Sequence, residues 1–337
     1  MFMQVYGIDL SMEKFDVNFI DLTGTERNRT VKNGIAAISK FLYGLPEGTI
    51  LCAEHTGVYG GLLVYLCNQV NVPIALVPGY TIKHSMGMAK GKSDPLDARR
   101  IREYGERFTD KLVLSVYDKE NIHELKQLYT LRTQLVRSRK SLTISETGRG
   151  HLPLQSISVH QHLLKVLYQL DEQIQAVEKE IETIIKADVI LNENYELAKS
   201  VTGIGPVIAT DLLIKTGNFA TIDTARKASS YAGVCPFPNT SGKMLGKSKT
   251  SPFADKQLKA LLFMGARSAL KHNKEYRLYY QKKKLEGKPH YLIMNNISNK
   301  MLRTVYSVVK NRTPFQQDHI CYDPREKNIN SSCEKVA

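Results

Sequence analysis

Apolar residues recur through the middle of this chain at intervals of four and three: Leu163, Leu167, Leu170, Ile174, Val177, Ile181 and Ile184. Only a helix returns side chains to one face at that spacing, so the run predicts a long, straight helix. A seam of this length needs an apolar partner, and two are open. One is the segment 118–148, itself helical by pattern through Ile122, Leu125, Leu128, Leu135 and Leu142, packing antiparallel within the chain. The other is a second copy of the seam, a coiled coil that spaces two domains and pairs protomers. Glu172, Glu178, Lys179 and Glu180 surround the seam, while Arg132, Arg137, Arg139 and Lys140 read as a solvated face or a nucleic-acid contact. Either way, residues 113–195 form a helical linker between a part before 112 and a part after 196.

The front part alternates strands and helices. Strands are expected over 3–10, 14–22, 27–32, 49–53 and 72–77, with helices after the third and fourth, which describes a mixed α/β sheet. The first strand ends on Asp9 and the fourth delivers Glu54. Further on, Ser93-Asp94-Pro95-Leu96-Asp97-Ala98 opens a helix, and the spacing of three sets Asp94 and Asp97 on one face. Capping and a first-turn dipole partner would account for those two by themselves. If the strands of Asp9 and Glu54 lie side by side, however, all four carboxylates emerge at one sheet edge. Like charges so placed repel unless a cation lies between them, and an oxygen-only donor set suits Mg²⁺ or Mn²⁺. Such ions serve phosphodiester chemistry.

Charge separates the two ends. Acidic and basic side chains balance through residue 195, so the whole formal excess of +14 lies beyond it. A basic rear half behind a neutral front suggests a polyanion held by the rear. In that rear half, Val201-Thr-Gly-Ile-Gly-Pro206 resembles a helix–hairpin–helix turn in which Gly203 and Gly205 let amides approach a phosphate. Pro236 and Pro238 break any regular element, so Ser241, followed by Gly242, is expected in a loop, near Lys243, Lys247 and Lys249. A loop Ser-Gly is by itself most often a turn; beside cations it is also a candidate nucleophile toward a phosphodiester. Tyr276, Tyr279 and Tyr280 interleave with Lys282, Lys283 and Lys284, a composition suited to unpaired bases. From about 314 to 337 the chain reads as a flexible tail.

Three segments together, Gly7-Ile-Asp-Leu-Ser11, Ala53-Glu-His-Thr-Gly57 and Ser93 to Ala98, resemble the DEDD signature of an insertion-sequence transposase family. Tyr231-Ala-Gly-Val-Cys-Pro236 with Ser241-Gly242 is similar to that family's C-terminal serine motif, although Lys249 to Phe253 and Leu258-Lys259 depart from it. The resemblance covers nearly the whole chain. It implies a RuvC-like (ribonuclease-H-like) domain over 1–112 and a coiled-coil linker over 113–195. Over 196–313 it implies a mainly α-helical transposase domain. It also implies that Asp9, Glu54, Asp94 and Asp97 bind Mg²⁺ (or Mn²⁺), that Ser241 attacks DNA and stays joined to it, and that Arg99 and Arg100 contact phosphates. Expected partners are DNA, a structured guide RNA and further copies of the chain, as a dimer or tetramer. Two other readings remain: a metal-dependent junction nuclease that uses water, and a non-catalytic nucleic-acid binder. Five scattered cysteines without a CxxC, no membrane-spanning run and no leader segment lead us to expect a cytoplasmic, nucleoid-associated protein.

Overall fold

The computed structural model describes residues 4–85, 87, 93–117, 120–154, 156–241 and 244–317. The chain divides into two compact units, residues 1–118 and 119–337.

The first unit is a five-stranded mixed sheet with helices. β1 (Gln4–Leu10), β2 (Lys14–Ile20) and β3 (Glu26–Lys32) form an antiparallel meander. After α1 (Ile35–Tyr43), β4 (Thr49–Glu54) enters parallel to β1; α2 (Gly61–Gln69) then leads to β5 (Ile74–Val77), parallel to β4. The resulting order is β3-β2-β1-β4-β5. Central β1 and β4 are nearly continuous apolar runs because helices need cover on the sheet; Ile8, Phe15, Val17, Leu51 and Ala53 are wholly buried. α3 (Gly79–Ser85) follows β5, and α4 (Asp94–Arg107) packs across β1, β2 and β4.

The second unit is helical apart from one hairpin. α5 (Glu120–Arg149) and α6 (Ile157–Ala187) pack against each other. Their pairing is antiparallel within the chain, since Arg132 reaches Glu178 at 2.6 Å while Arg139 meets Asp171. Of Arg132, Arg137, Arg139 and Lys140, two are therefore bound to acids of the seam helix. The seam buries Leu163, Ile174, Val177 and Ile181 as the spacing predicts, then shifts from Ile184 to Ile185, which is fully buried. An ideal helix of 3.6 residues per turn drifts in this way against a 3.5-residue repeat.

Beyond them come α7 (Val189–Ser200), α8 (Pro206–Lys215), α9 (Ala225–Tyr231), β6 (Phe237–Ser241), β7 (Met244–Lys249), α10 (Lys256–His272), α11 (Lys274–Leu285) and α12 (His290–Asn311). α12 is the axis of this core: Ile293, Met294, Ile297, Met301, Leu302 and Val305 have no exposed surface, and α7, α9, α10 and α11 all pack on it. No helix among the described residues is long and apolar enough to cross a membrane.

Candidate active site

Asp9 is the penultimate residue of β1 and Glu54 the last of β4. The two strands are parallel neighbours with Ile8 opposite Ala53, so both carboxylates leave the sheet at the same edge. α4 brings the other two acids. Its N-cap is Ser93 rather than Asp94, with Asp94 and Pro95 as its opening residues and Asp97 in the first turn. The helix approaches β1 unusually closely, because a Cβ on Gly7 would collide with backbone atoms of Ala98 and Arg102. The helix answers with Gly105, where a Cβ would stand 2.7 Å from Val5 Cγ1 and 3.1 Å from Cys52 Cβ. At Gly7 strand and helix backbones thus touch with no side chain between them. At Gly105 the Val5 and Cys52 side chains reach the helix main chain, and the first turn of α4 with Asp97 is held close to the end of β1.

The electrostatics register the convergence. The Asp9 carboxyl is pushed up from 3.8 to about 6, first by burial, then by Asp97, Glu54, Asp94 and Asp16 in turn. Asp16, which the sequence reading passed over, faces Asp9 across the antiparallel β1–β2 register and accepts a hydrogen bond from the Thr30 hydroxyl. The signal available was its place in an alternating strand two residues after the hairpin turn, which looks like any solvated acid.

Neighbouring cations already hold the outer acids. Arg100 Nη1 donates to Asp97 Oδ1 at 2.8 Å, and Lys14 Nζ lies 3.7 Å from Asp94 and 3.5 Å from Asp16. Arg99 pairs with Glu103 at 2.9 Å and Glu26 at 3.6 Å. So Arg99 and Arg100, both expected on phosphates, are engaged with acids of their own unit. As placed, no three of the described His, Cys, Asp or Glu side chains are close enough together to ligate one ion. The donor set nonetheless suits a hard divalent cation: it is all carboxylate oxygen, and Asp9 carries an excess of negative charge around it.

In the second unit, Ser241 departs from the expected loop. It ends β6 and pairs with Met244 of β7. Pro238 is accommodated because the ribbon has only two strands, with both outer edges open, and the register slips between Phe237 and Asn239. Gly242 and Lys243 lie outside the described residues, as do the side chains of Ser241 and Lys247; Lys249 ends β7 opposite Phe237.

Both feet of this hairpin are tied to the helical core. Asp255 N donates to the Tyr231 carbonyl at 2.8 Å, and Tyr231 OH to Asp255 Oδ2 at 3.2 Å. Lys215 Nζ stands 2.9 Å from both Asp255 and the wholly buried Asp211. Burial raises the Asp211 carboxyl, with Lys215 and Tyr129 opposing. Asn295 Nδ2 donates to the Val234 carbonyl at 2.9 Å. None of Lys215, Asp211 or Asn295 carries a sequence signal beyond an ordinary helical residue.

Gly203 and Gly205 flank the turn between α7 and α8. Gly203 has φ of +95° and sits against Gly265 of α10, where a side chain would meet its carbonyl and Met301. Its tight approach is therefore to a neighbouring helix, while Gly205, the N-cap of α8, faces open space. Of the three-lysine run, Lys283 pairs with Glu286 at 2.7 Å, and all three lysines lie in the last turn of α11, where their charge complements the helix dipole.

Comparison with known proteins places this geometry. Two family models match, one described as a transposase over residues 6–148 and one described as the transposase IS116/IS110/IS902 family over residues 195–281. The pilin gene-inverting protein of Moraxella bovis is 24% identical over 321 residues, 92% of this chain and 97% of that protein. The transposase of insertion sequence element IS1111A from Coxiella burnetii is 24% identical over 302 residues, 80% and 79% of the two chains. Among solved structures, T. thermophilus RuvC bound to a Holliday junction aligns at 14% identity and a TM-score of 0.26, over 34% of this chain and all of that one. The chain belongs to the DEDD transposases of the IS110/IS116 insertion elements, enzymes that cut DNA and transfer its strands.

Proposed function

We propose that this protein is the transposase or site-specific recombinase of its insertion element, cutting and rejoining DNA through a serine–DNA phosphodiester with the four acids as a divalent-cation site. The observation that carries the reading is the convergence of Asp9, Glu54, Asp94 and Asp97 at one sheet edge, where burial first and then the neighbouring carboxylates push Asp9 up to about 6. The order β3-β2-β1-β4-β5, with β2 antiparallel to β1, supports a RuvC-like assignment for the first unit. Asp9, Glu54, Asp94 and Asp97 would hold Mg²⁺ or Mn²⁺. Bound there, the ion supplies positive charge against a scissile phosphate.

The chain's own contribution is the nucleophile and its footing. Ser241 Oγ forms a bond to phosphorus as the P–O bond to the departing sugar breaks; the serine proton leaves and the sugar oxygen takes one up. Because the phosphodiester count is conserved, the reverse step rejoins DNA without an external energy source. The Tyr231–Asp255–Lys215 contacts keep the hairpin feet fixed, so that the serine travels with the helical core rather than as a free loop. The excess positive charge after residue 195 supports contact with DNA and with a structured guide RNA. Residues 113–195 serve as the helical arm of a homo-oligomer, and the protein works in the cytoplasm at the nucleoid.

Denaturing electrophoresis of labelled element-end DNA tests the serine. Wild type is expected to leave a protein-bound strand, and Ser241→Ala to remove it while DNA binding persists; Ser248→Ala is the control. An adduct that survives Ser241→Ala refutes the nucleophile, and cleavage to a free 5′ or 3′ phosphate with no adduct favours the water-using nuclease.

A further inference from the structure

A cavity of about 710 Å³ opens in the second unit between the start of α11, the second half of α12 and the segment 313–317. Its volume is that of a small-ligand site. The outer wall is fixed: Phe315 N donates to Ser200 Oγ at 2.8 Å, and Gln317 Nε2 to the His272 carbonyl at 3.2 Å. At the floor is Asn273, 1% exposed. Its Oδ1 caps α11 by accepting from Tyr276 N, while its Nδ2 has no hydrogen-bond partner among the described residues. A buried amide donor left so is costly unless something polar reaches it.

The sides of the cavity carry charge and a ring. Lys300 Nζ stands 3.9 Å from the Tyr279 ring centroid, with Lys283 on the same ring at 5.9 Å. The charged neighbours of Lys300 are Glu275, Lys283 and Arg303, so cations outnumber acids. Thr304 and Ser307 add hydroxyls along α12. Cations at the rim, an aromatic wall and neutral hydrogen-bonding groups inside are what a nucleotide needs: phosphate outside, base within.

We infer that this cavity takes one unpaired nucleotide of the nucleic-acid partner, its phosphate on Lys300 and Arg303 and its base against Tyr279 and the Asn273 amide. A duplex cannot supply an unstacked base, so the site reads strandedness. The inference rests on the nucleic-acid-binding part of the proposed function and needs neither Ser241 nor the acids.

The chain contains no tryptophan, so Tyr279→Trp in the full chain gives a single reporter at the cavity wall. Titration with a ten-residue oligothymidylate is expected to quench it, and a blunt duplex of the same length is expected to bind without comparable quenching. In the otherwise unchanged chain, the exposed Arg303→Gln should weaken oligothymidylate binding about 5-fold and lower the logarithmic salt slope by about one. Duplex affinity should stay the same. Equal quenching by duplex and single strand, no quenching by bound oligothymidylate, or an unchanged salt slope in Arg303→Gln each overturns the site. So does displacement of bound oligothymidylate by a peptide of residues 318–337, which would assign the cavity to the chain's own tail. Quenching that survives in a chain shown to form no covalent adduct leaves this site standing and removes the serine mechanism alone.

Discussion

Replacing Asp9 with Asn should make the metal-free protein more stable, although it removes a residue of the active site. The direction follows from linkage. An acid whose folded pKa is raised holds its proton longer in the native state than in the unfolded chain, so its ionisation opposes folding. Asp9 titrates near 6 when folded against 3.8 as the ordinary value. The penalty is therefore absent below about pH 4, grows as pH rises toward 6 and is complete above it. The rise from 3.8 to about 6 would correspond to about 3 kcal/mol, a tenfold change in proton affinity being worth about 1.4 kcal/mol. Partial exposure of Asp9 and screening by salt reduce this to about 1–2 kcal/mol. Urea unfolding of wild type and Asp9→Asn in EDTA measures it. The variant is expected to be more stable at pH 8, with most of the gain gone at pH 4.5. Millimolar Mg²⁺ should then raise wild type and leave the variant unchanged. A variant less stable at pH 8, or a gain that ignores pH, would refute the burial and carboxylate crowding that raise Asp9.

Gly7→Ala should cost about 3 kcal/mol and abolish strand cleavage, since the new methyl meets the backbone of Ala98 and Arg102, which cannot repack as a side chain can; chemical denaturation with a cleavage assay checks both. Lys215→Met should destabilise the second unit by about 3 kcal/mol, because it strands the buried Asp211 without its cation. The loss should shrink on acidification as Asp211 takes up a proton, which calorimetry at pH 5 and pH 8 would show. A double replacement, Asp211→Leu with Lys215→Met, should recover much of that stability.

How much was legible in the sequence depends on whether the deciding force was local. Alternation marked β1, a short buried-type apolar run marked β4, and Pro95 with its flanking acids marked the start of α4, so the three pieces that carry Asp9, Glu54 and Asp97 could be read directly. Their adjacency could be stated only as a condition, because strand order is a tertiary choice; the parallel β1–β4 pairing supplies it. The seam was legible as a helix, while its partner was not: a spacing of 3.5 serves α5 or a second copy equally, and the Arg132–Glu178 ion pair shows which one it meets within the chain. Ser241 was misplaced because proline rules assume a strand flanked on both sides, and a two-stranded ribbon has none. Gly203 was read for a ligand when its neighbour is Gly265, a contact 62 positions distant in sequence that no local pattern encodes.

The bare contact of α4 on β1 has a further consequence for how such an enzyme tolerates change. Where two elements are spaced by side chains, every substitution between them resets the gap, and anything mounted on them shifts with it. Here Gly7 meets the α4 backbone directly, so the spacer has no side chain of its own to vary. Substitutions in the surrounding apolar layer, at Ile101 or Tyr104, alter cohesion while the close approach at Gly7 stays set by main-chain atoms. The site is gauged like a tool with a hard stop, and its sequence surroundings are left free to drift.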